Sequence, residues 1–566
     1  MHVKITTSGG RRYAQLVESY RDEAGRVKKR TVATLGRVED VARGVDSVIN
    51  GLLKLSGREP AGHSSATPVV SFESARALGD VWTLTELWKS LGFSELKRVF
   101  RRTRHTIDVE ALLRIMVFNR LCDPESKLGV LRWLETVALP DIGVQAVTHQ
   151  HLLRSLDALM DQREAVDVVV ASLLRPMIDQ DLSVVFYDLT TIRAEGLSTQ
   201  ANDVRAYGMA KEGLIARQFM LGVVQTAEGL PLYHEVFDGN AAETKTLLPT
   251  LKIVLDRFPT VKRLVLVADR GLLSLDNLEA IKALREVSGR TIEFILAVPA
   301  RRYHEFADQL DGFHQAHCAS ATAEVIGEMV WNELRLVVAH APLQATEQTR
   351  QRDQQIETLT KQGEAWAGKL DGQDEGVKRR GRKLSDSGAK ARFFHAVSEA
   401  HLSKIIEVDL KSDLFRYQIN TAALARARML DGKLLLVTNT KDLGAQEVLT
   451  RYKALADIER GFRVLKSDLE IAPVYHRLPD RIRAHATVCF MALILYRVMR
   501  QRLKAADAGL SPERALEYLR RIQHHRVRLD ASDPVAGVST LNAEQTKVLH
   551  ALAVTKPSLP QQLALL

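Results

Sequence analysis

Between residues 182 and 298 the chain repeats one pattern, an apolar run of strand length closed by polar or turn residues. The runs fall at 183–187, 219–224, 230–237, 263–268 and 293–298, with helical spacing around 242–257. Three successive strands, a helix, a strand, a helix and a strand predict a mixed α/β sheet. Two of these runs end on a carboxylate: Asp188 in SVVFYDLTT and Asp269 in LVLVADRG. One Asp after a strand is commonly a turn or capping residue. Two in one sheet point further, because the strand ends of open α/β sheets hold ligand groups rigidly within reach of solvent.

A third carboxylate lies in the helical pattern that runs from about 445 to 505. At 100° per residue Tyr452, Glu459 and Lys466 fall within roughly 20° of one another, with Arg463 one turn past Glu459. Ile458, Phe462, Leu465 and Leu469 form a separate apolar stripe that would seat this helix on a core. A solvated charged face is the plainer reading of the polar row. If Asp188, Asp269 and Glu459 converge, their like charges need cations. Oxygen ligands select Mg²⁺ or Mn²⁺, and two such ions about 3.5–4 Å apart suit in-line displacement at a phosphodiester.

Composition agrees with a polyanionic partner. Lys and Arg exceed Asp and Glu by 79 − 69 = 10, and the pI is near 9.4, which favours nucleic acid. Only Cys122, Cys318 and Cys489 occur, so a disulfide framework is not expected and a reducing cytoplasm is the simple inference. The N-terminus MHVKITTSGGRRYAQ lacks the apolar region of a signal peptide. The longest apolar run, 486–496, falls short of the roughly 18 residues of a membrane span.

These motifs resemble a bacterial insertion-sequence transposase of the Asp-Asp-Glu type, in the group whose third-carboxylate helix carries Tyr-x2-Arg-x3-Glu-x6-Lys. Here the signature reads Tyr452, Leu455, Glu459, Lys466. AYGMAKEG (206–213), VFDGNAAETKTL (236–247) and RIRAHATVCFMALIL (481–495) are similar too. The resemblance implies a ribonuclease-H-like core with an insertion domain before the Glu helix. The separations 269 − 188 = 81 and 459 − 269 = 190 leave room for it. It also implies that Asp188, Asp269 and Glu459 hold two Mg²⁺ (or Mn²⁺) ions and that Tyr452 and Lys466 orient DNA. Leu455 replaces the signature Arg and is expected to join the core, leaving Arg463 as a possible substitute in contacting phosphate.

The predicted domains are a basic β-hairpin module (1–55), a linker (56–70), a helical, DNA-binding domain (71–180) and the first part of the core (181–299). An insertion (300–440), the second part of the core (441–510) and a helical tail (511–566) follow. In the helical domain Val109, Leu112, Leu113, Met116 and Val117 share an apolar face, and Trp82, Trp88 and Trp133 are expected in its core. Candidate DNA contacts are Arg98, Arg101, Arg102 and Arg104, with Lys378, Arg379 and Arg380 in the insertion; each cluster reads equally as a solvated basic surface. Arg497, Arg500, Arg502 and Lys504 suit flanking DNA or a helix C-terminus. His314, His317 and Cys318 lack the second ligand pair of a zinc site. The expected activity is binding of terminal inverted repeats, cleavage and transfer into target DNA, by a homodimer or higher synaptic assembly in the bacterial cytoplasm, associated with the nucleoid and not with membrane. A nuclease without joining activity and a silent DNA-binding regulator are the alternatives.

Overall fold

In the computed structural model the described residues are 1–23, 25–38, 49, 51–57, 70–101, 107–143, 147–178, 183–196, 200–209, 215–269, 279, 281, 289–318, 321–376, 384–529 and 533–558. The chain divides into two compact units, residues 1–74 with 526–536, and residues 75–525 with 537–566.

In the first unit β1 (His2–Ser8), β2 (Arg11–Arg21) and β3 (Val27–Arg37) form an antiparallel sheet in chain order. The β-hairpin module expected over 1–55 holds two hairpins, the second turning between Arg21 and Val27. The first turn is Gly9-Gly10, whose φ values of 55° and 76° suit the tight turn that a two-residue hairpin requires. Ala14 and Val17 are buried, while Val3, Ile5 and Val32 are exposed. β4 (Val70–Ala77) carries the chain onward.

The second unit opens with a helical block: α1 (Gly79–Ser90), α2 (Leu96–Phe100), α3 (Val109–Cys122), α4 (Lys127–Thr136), α5 (His149–Asp161) and α6 (Arg163–Leu174). The apolar face expected on α3 is buried, as are Trp88 and Trp133. Trp88 stacks on Phe93 at 4.5 Å and donates its indole N–H to the buried Glu110 carboxylate at 2.7 Å. Trp82 is half-buried, its indole donating to the Thr555 carbonyl at 2.9 Å.

The mixed sheet follows. Its first part is β5 (Ser183–Arg193), β6 (Ala206–Met209), β7 (Ile215–Thr226), β8 (Pro231–Asp238), α7 (Glu243–Arg257), β9 (Arg263–Ala268) and β10 (Thr291–Ala297). β7 pairs antiparallel with both β5 and β8, whereas β9 lies parallel to β5 and β10 parallel to β9. The helix expected between β9 and β10 falls largely outside the described residues. These strands are buried along nearly their whole length, which is why they read as continuous apolar runs rather than alternating ones.

The stretch 300–440 is not one foreign block. After α8 (Ala307–Phe313) come β11 (Val325–Trp331) and β12 (Leu334–His340), which join the large sheet through β15 (Lys433–Thr438), itself antiparallel to β10. Between β12 and β15 lie α9 (Pro342–Asp374), α10 (Asp386–Glu399), β13 (Ile406–Val408), β14 (Tyr417–Ile419) and α11 (Thr421–Leu430). This portion has its own apolar cluster, built on Ile356, Phe393 and Phe415. Thus the boundary inferred from irregular sequence took in three strands of the main sheet.

α12 (Ala445–Lys453), α13 (Ala456–Arg463), α14 (Pro479–Ala505), α15 (Pro512–Arg520), β16 (Gln523–Leu529), β17 (Val535–Val538) and α16 (Ala543–Ala551) complete the chain. The run 486–496 is the middle of the 27-residue α14. By length and composition that helix could cross a membrane, but 94 % of its apolar window is buried inside the protein. It packs on α3, α5 and β8 as a core helix.

Candidate active site

Sheet register sets the first two carboxylates side by side. On the parallel pair β5 and β9, Tyr187 stands opposite Ala268, and Asp188 and Asp269 are the next residue on each chain segment. Neighbouring strands lie about 4.8 Å apart, so the two aspartates emerge together. Asp188 is still paired with Val223 of β7 and is half-buried, while Asp269, one residue past its strand, is exposed. The Leu189 N–H donates to Asp188 Oδ1 at 2.7 Å. Tyr452, at the end of α12, donates its hydroxyl to Asp269 Oδ1 at 2.9 Å.

The helix expected to carry Tyr452, Glu459 and Lys466 on one face is broken. The Leu455 N–H donates to the Tyr452 carbonyl and the Ile458 N–H to the Leu455 carbonyl, both at 2.9 Å and both three residues apart rather than four. The chain tightens between α12 and α13. It then widens into a π-helical turn at Val464–Asp468, closed by the Leu469 N–H to the Val464 carbonyl at 2.9 Å. A uniform 100° per residue therefore does not hold across 452–466. The apolar stripe does hold: Leu455, Ile458, Phe462, Leu465 and Leu469 are all buried.

Glu459 is exposed on α13, which packs against β5. Among the described residues no three His, Cys, Asp or Glu side chains are grouped to hold an ion. The donors present are carboxylate oxygens, the type that suits Mg²⁺ or Mn²⁺. Asp188 and Asp269 fit that role as an adjacent pair, and Glu459 is not drawn into a group with them.

Lys466 is half-buried in the π turn, and Arg463 is exposed on the last turn of α13. Close by, Asp468 is pushed up to about 6 by burial and by its hydrogen bond with Glu513, an effect that Arg463 opposes. Arg98 is exposed and pairs with Glu95 at 2.6 Å, and Arg101 is exposed. Arg102, Arg104, Lys378, Arg379 and Arg380 lie outside the described residues. Two cations considered for flanking DNA are occupied in the interior instead. Arg502 donates to the Leu552 carbonyl at 2.7 Å, and Arg497 is only 3 % exposed. His314 Nδ1 faces the Lys433 ammonium at 2.9 Å.

Arg497 marks a contact that the sequence did not disclose. A Cβ on Gly461 would sit 2.8 Å from its Nη2 and 3.3 Å from Gln225 Oε1. The glycine two residues after Glu459 thus lets α13 close on β7 and α14. The available signal was the Glu-Arg-Gly-Phe order itself, since an isolated glycine inside a helix pattern commonly reports close packing.

Two families match the chain. Residues 2–65 match the IS1634 family transposase N-terminal domain, and residues 179–495, more than half the chain, match the transposase DDE domain. No curated protein matches. Among solved structures the chain is similar to a piggyBac transposase in a synaptic complex with hairpin DNA, at 9 % identity and a TM-score of 0.36, over 78 % of this chain and 75 % of that one. The chain belongs to the DDE transposase family and is an insertion-sequence transposase.

Proposed function

We propose that this enzyme binds the inverted-repeat ends of its own element, cleaves to expose 3′ hydroxyls and joins them to target DNA, with Asp188, Asp269 and Glu459 as the carboxylates that hold two divalent ions. One observation carries this reading: Asp188 and Asp269 emerge from adjacent parallel strands, and Tyr452 of the next functional segment is bonded to the second of them. The strand arrangement supports a ribonuclease-H-like core, with three antiparallel strands and two more parallel to the first.

The chemistry such ions supply when bound is activation of a water or 3′ hydroxyl and stabilisation of the leaving oxygen. The chain's own residues provide the frame. The sheet fixes Asp188 and Asp269, and the Tyr452 hydroxyl aims the Asp269 carboxylate by occupying one of its oxygens. Glu459 would supply the third carboxylate from α13, a helix bounded by a tight turn and a π turn. Lys466 and Arg463 follow on the same segment and offer positive charge to the DNA backbone. Since two ends have to meet, the working form is a homodimer or larger synaptic assembly on DNA.

The test is Mg²⁺-dependent cleavage and strand transfer on DNA carrying the element's ends, comparing wild type with Glu459→Gln and Asp269→Asn. Joined products from wild type, none from either variant and retained DNA binding in all three are expected. Cleavage without joining of a pre-cut donor would assign a nuclease, and end binding without chemistry in any protein would assign a silent regulator.

A further inference from the structure

A pocket of about 600 Å³, largely apolar in lining but with several cationic residues, opens at the start of α4, away from the carboxylates. One wall is the helical block, with Arg120, Lys127 and His149; the other is the segment 470–478 with His485 of α14. That segment is firmly held. Arg120 Nη1 donates to the carbonyls of Leu469 and Glu470 at 3.4 and 3.2 Å, and Arg205 to those of His476 and Arg477 at 3.3 and 3.1 Å. The Val474 N–H donates to the Arg193 carbonyl at 3.0 Å, and the Glu195 N–H to the Val474 carbonyl at 2.8 Å. The pocket is preformed rather than a gap between mobile parts.

Its floor is unusual for a protein interior. Lys127 is 8 % exposed, and its ammonium has no hydrogen-bond or ion-pair partner among the described residues. Behind it Arg120 Nε and His485 Nδ1 are closed off from solvent without a hydrogen-bond partner. An unpaired buried cation is costly. Burial and the neighbouring Arg120 pull the Lys127 ammonium down to about 8, a penalty that an incoming anion would relieve. Lys127 is also the first residue of α4, capped by the Ser126 hydroxyl at the Gly129 N–H, so first-turn N–H groups without helical acceptors face the same place. The opposing charge is that of Glu125, whose carboxylate packs against Gly129 in the first turn of α4 and lies 3.8 Å from Arg132; Arg481 is neutralised by Asp157 at 2.7 Å, and Glu470 is exposed.

We propose that this pocket is a phosphate-binding site, in which the Lys127 ammonium and the first-turn N–H groups of α4 take the oxygens of one phosphate group, with the enclosed Arg120 guanidinium adding positive charge behind them. The phosphate is either that of a DNA strand or a free one. The DNA source rests on the function proposed above. Val474 bridges Ala194, one residue past β5 and six from Asp188, or about 20 Å at the rise of a strand, a span that DNA lying across the catalytic carboxylates would cover.

The experiment is thermal unfolding of the full chain in sodium phosphate against sodium chloride at equal ionic strength, then with a 5′-phosphorylated dodecanucleotide against its 5′-hydroxyl form. Wild type, Lys127→Met and Asp269→Asn are compared. A saturable rise in Tm with phosphate is expected for wild type and Asp269→Asn, and a response about tenfold weaker for Lys127→Met, which loses a charge-assisted contact. Lys127→Met removes an unpaired buried charge and should fold. His149→Trp, which fills the pocket and keeps the cations, provides a second variant that should lose the response. A response in wild type no larger than with chloride, or equal in wild type and both pocket variants, overturns the proposal. Saturation by the phosphorylated strand at concentrations where inorganic phosphate has no effect assigns DNA as the source, and the reverse assigns a free phosphate. An intact phosphate response in a protein that neither cleaves nor joins DNA would count against the transposition reading and leave this site standing.

Discussion

At the scale of single residues, the hydroxyl of Tyr452 on Asp269 is the contact most open to test. Removing a hydrogen bond that orients a metal-binding carboxylate commonly costs 10–100-fold in metal affinity or activity. Tyr452→Phe keeps the ring, so about a tenfold loss of cleavage is expected, with a higher Mg²⁺ requirement and unchanged unfolding; a Mg²⁺ titration of the cleavage rate checks it. His234 of β8 carries a different kind of prediction. Its ring lies against Phe490 at 4.4 Å, with Nε2 3.1 Å from Thr487 Oγ1. Burial, then the Arg163 charge, push it down to about 3. The folded value lies below the unfolded one, near 6.5, so stability is fully present above pH 6.5 and is lost as pH falls toward 3. At pH 5 the loss from this residue is about 2 kcal/mol. Urea unfolding at pH 7 and pH 5 should show it, and His234→Leu should flatten the difference by that amount.

Among the elements, the DGN turn after β8 is a tight joint. The Gly239 N–H donates to the Val204 carbonyl at 3.0 Å, and its own carbonyl accepts from Gln218 Nε2 at 3.0 Å. A Cβ there would overlap the Gln218 carbonyl, a backbone atom that cannot step aside. Gly239→Ala should therefore cost about 1–3 kcal/mol by overpacking, read as a lower urea midpoint at unchanged slope. Elements of this kind also show what the sequence can convey. β5 and β9 were legible because a strand buried on both faces is a local apolar run, and its Asp terminus is visible in the same window. The apolar stripe from Ile458 to Leu469 was legible for a similar reason. The break between α12 and α13 was not, because Leu455 ends a helical turn only in answer to the core it enters, and the Tyr452 bond to Asp269 spans 183 residues. The strands of 325–340 and 433–438 were misplaced in an insertion because their partners lie across α9, α10 and α11, and nothing local announces a long-range pairing.

For the molecule as a whole, the excess of ten basic residues is a statement about partners rather than about fold. Much of the basic charge is committed internally: Arg205, Arg497 and Arg502 serve carbonyls, carboxylates or close packing, and Lys97 lies 3.5 Å from the buried Glu110. What remains for DNA is the exposed set to which Arg98 and Arg101 of the helical block and Arg463 beside the site belong. If these meet the backbone, log affinity for element-end DNA should fall linearly with log salt, with a slope of about −0.9 for each phosphate neutralised. The double variant Arg98→Ala/Arg101→Ala should then reduce the slope by about 1.8 and weaken binding to any sequence alike, since phosphate contacts position without specifying. Binding isotherms across a salt series on end and scrambled duplexes measure both quantities. An unchanged slope would return these two arginines to the solvated surface and leave sequence recognition to be sought in the first unit, where the three-stranded sheet presents its own row of basic residues, Lys28, Lys29 and Arg30, on β3.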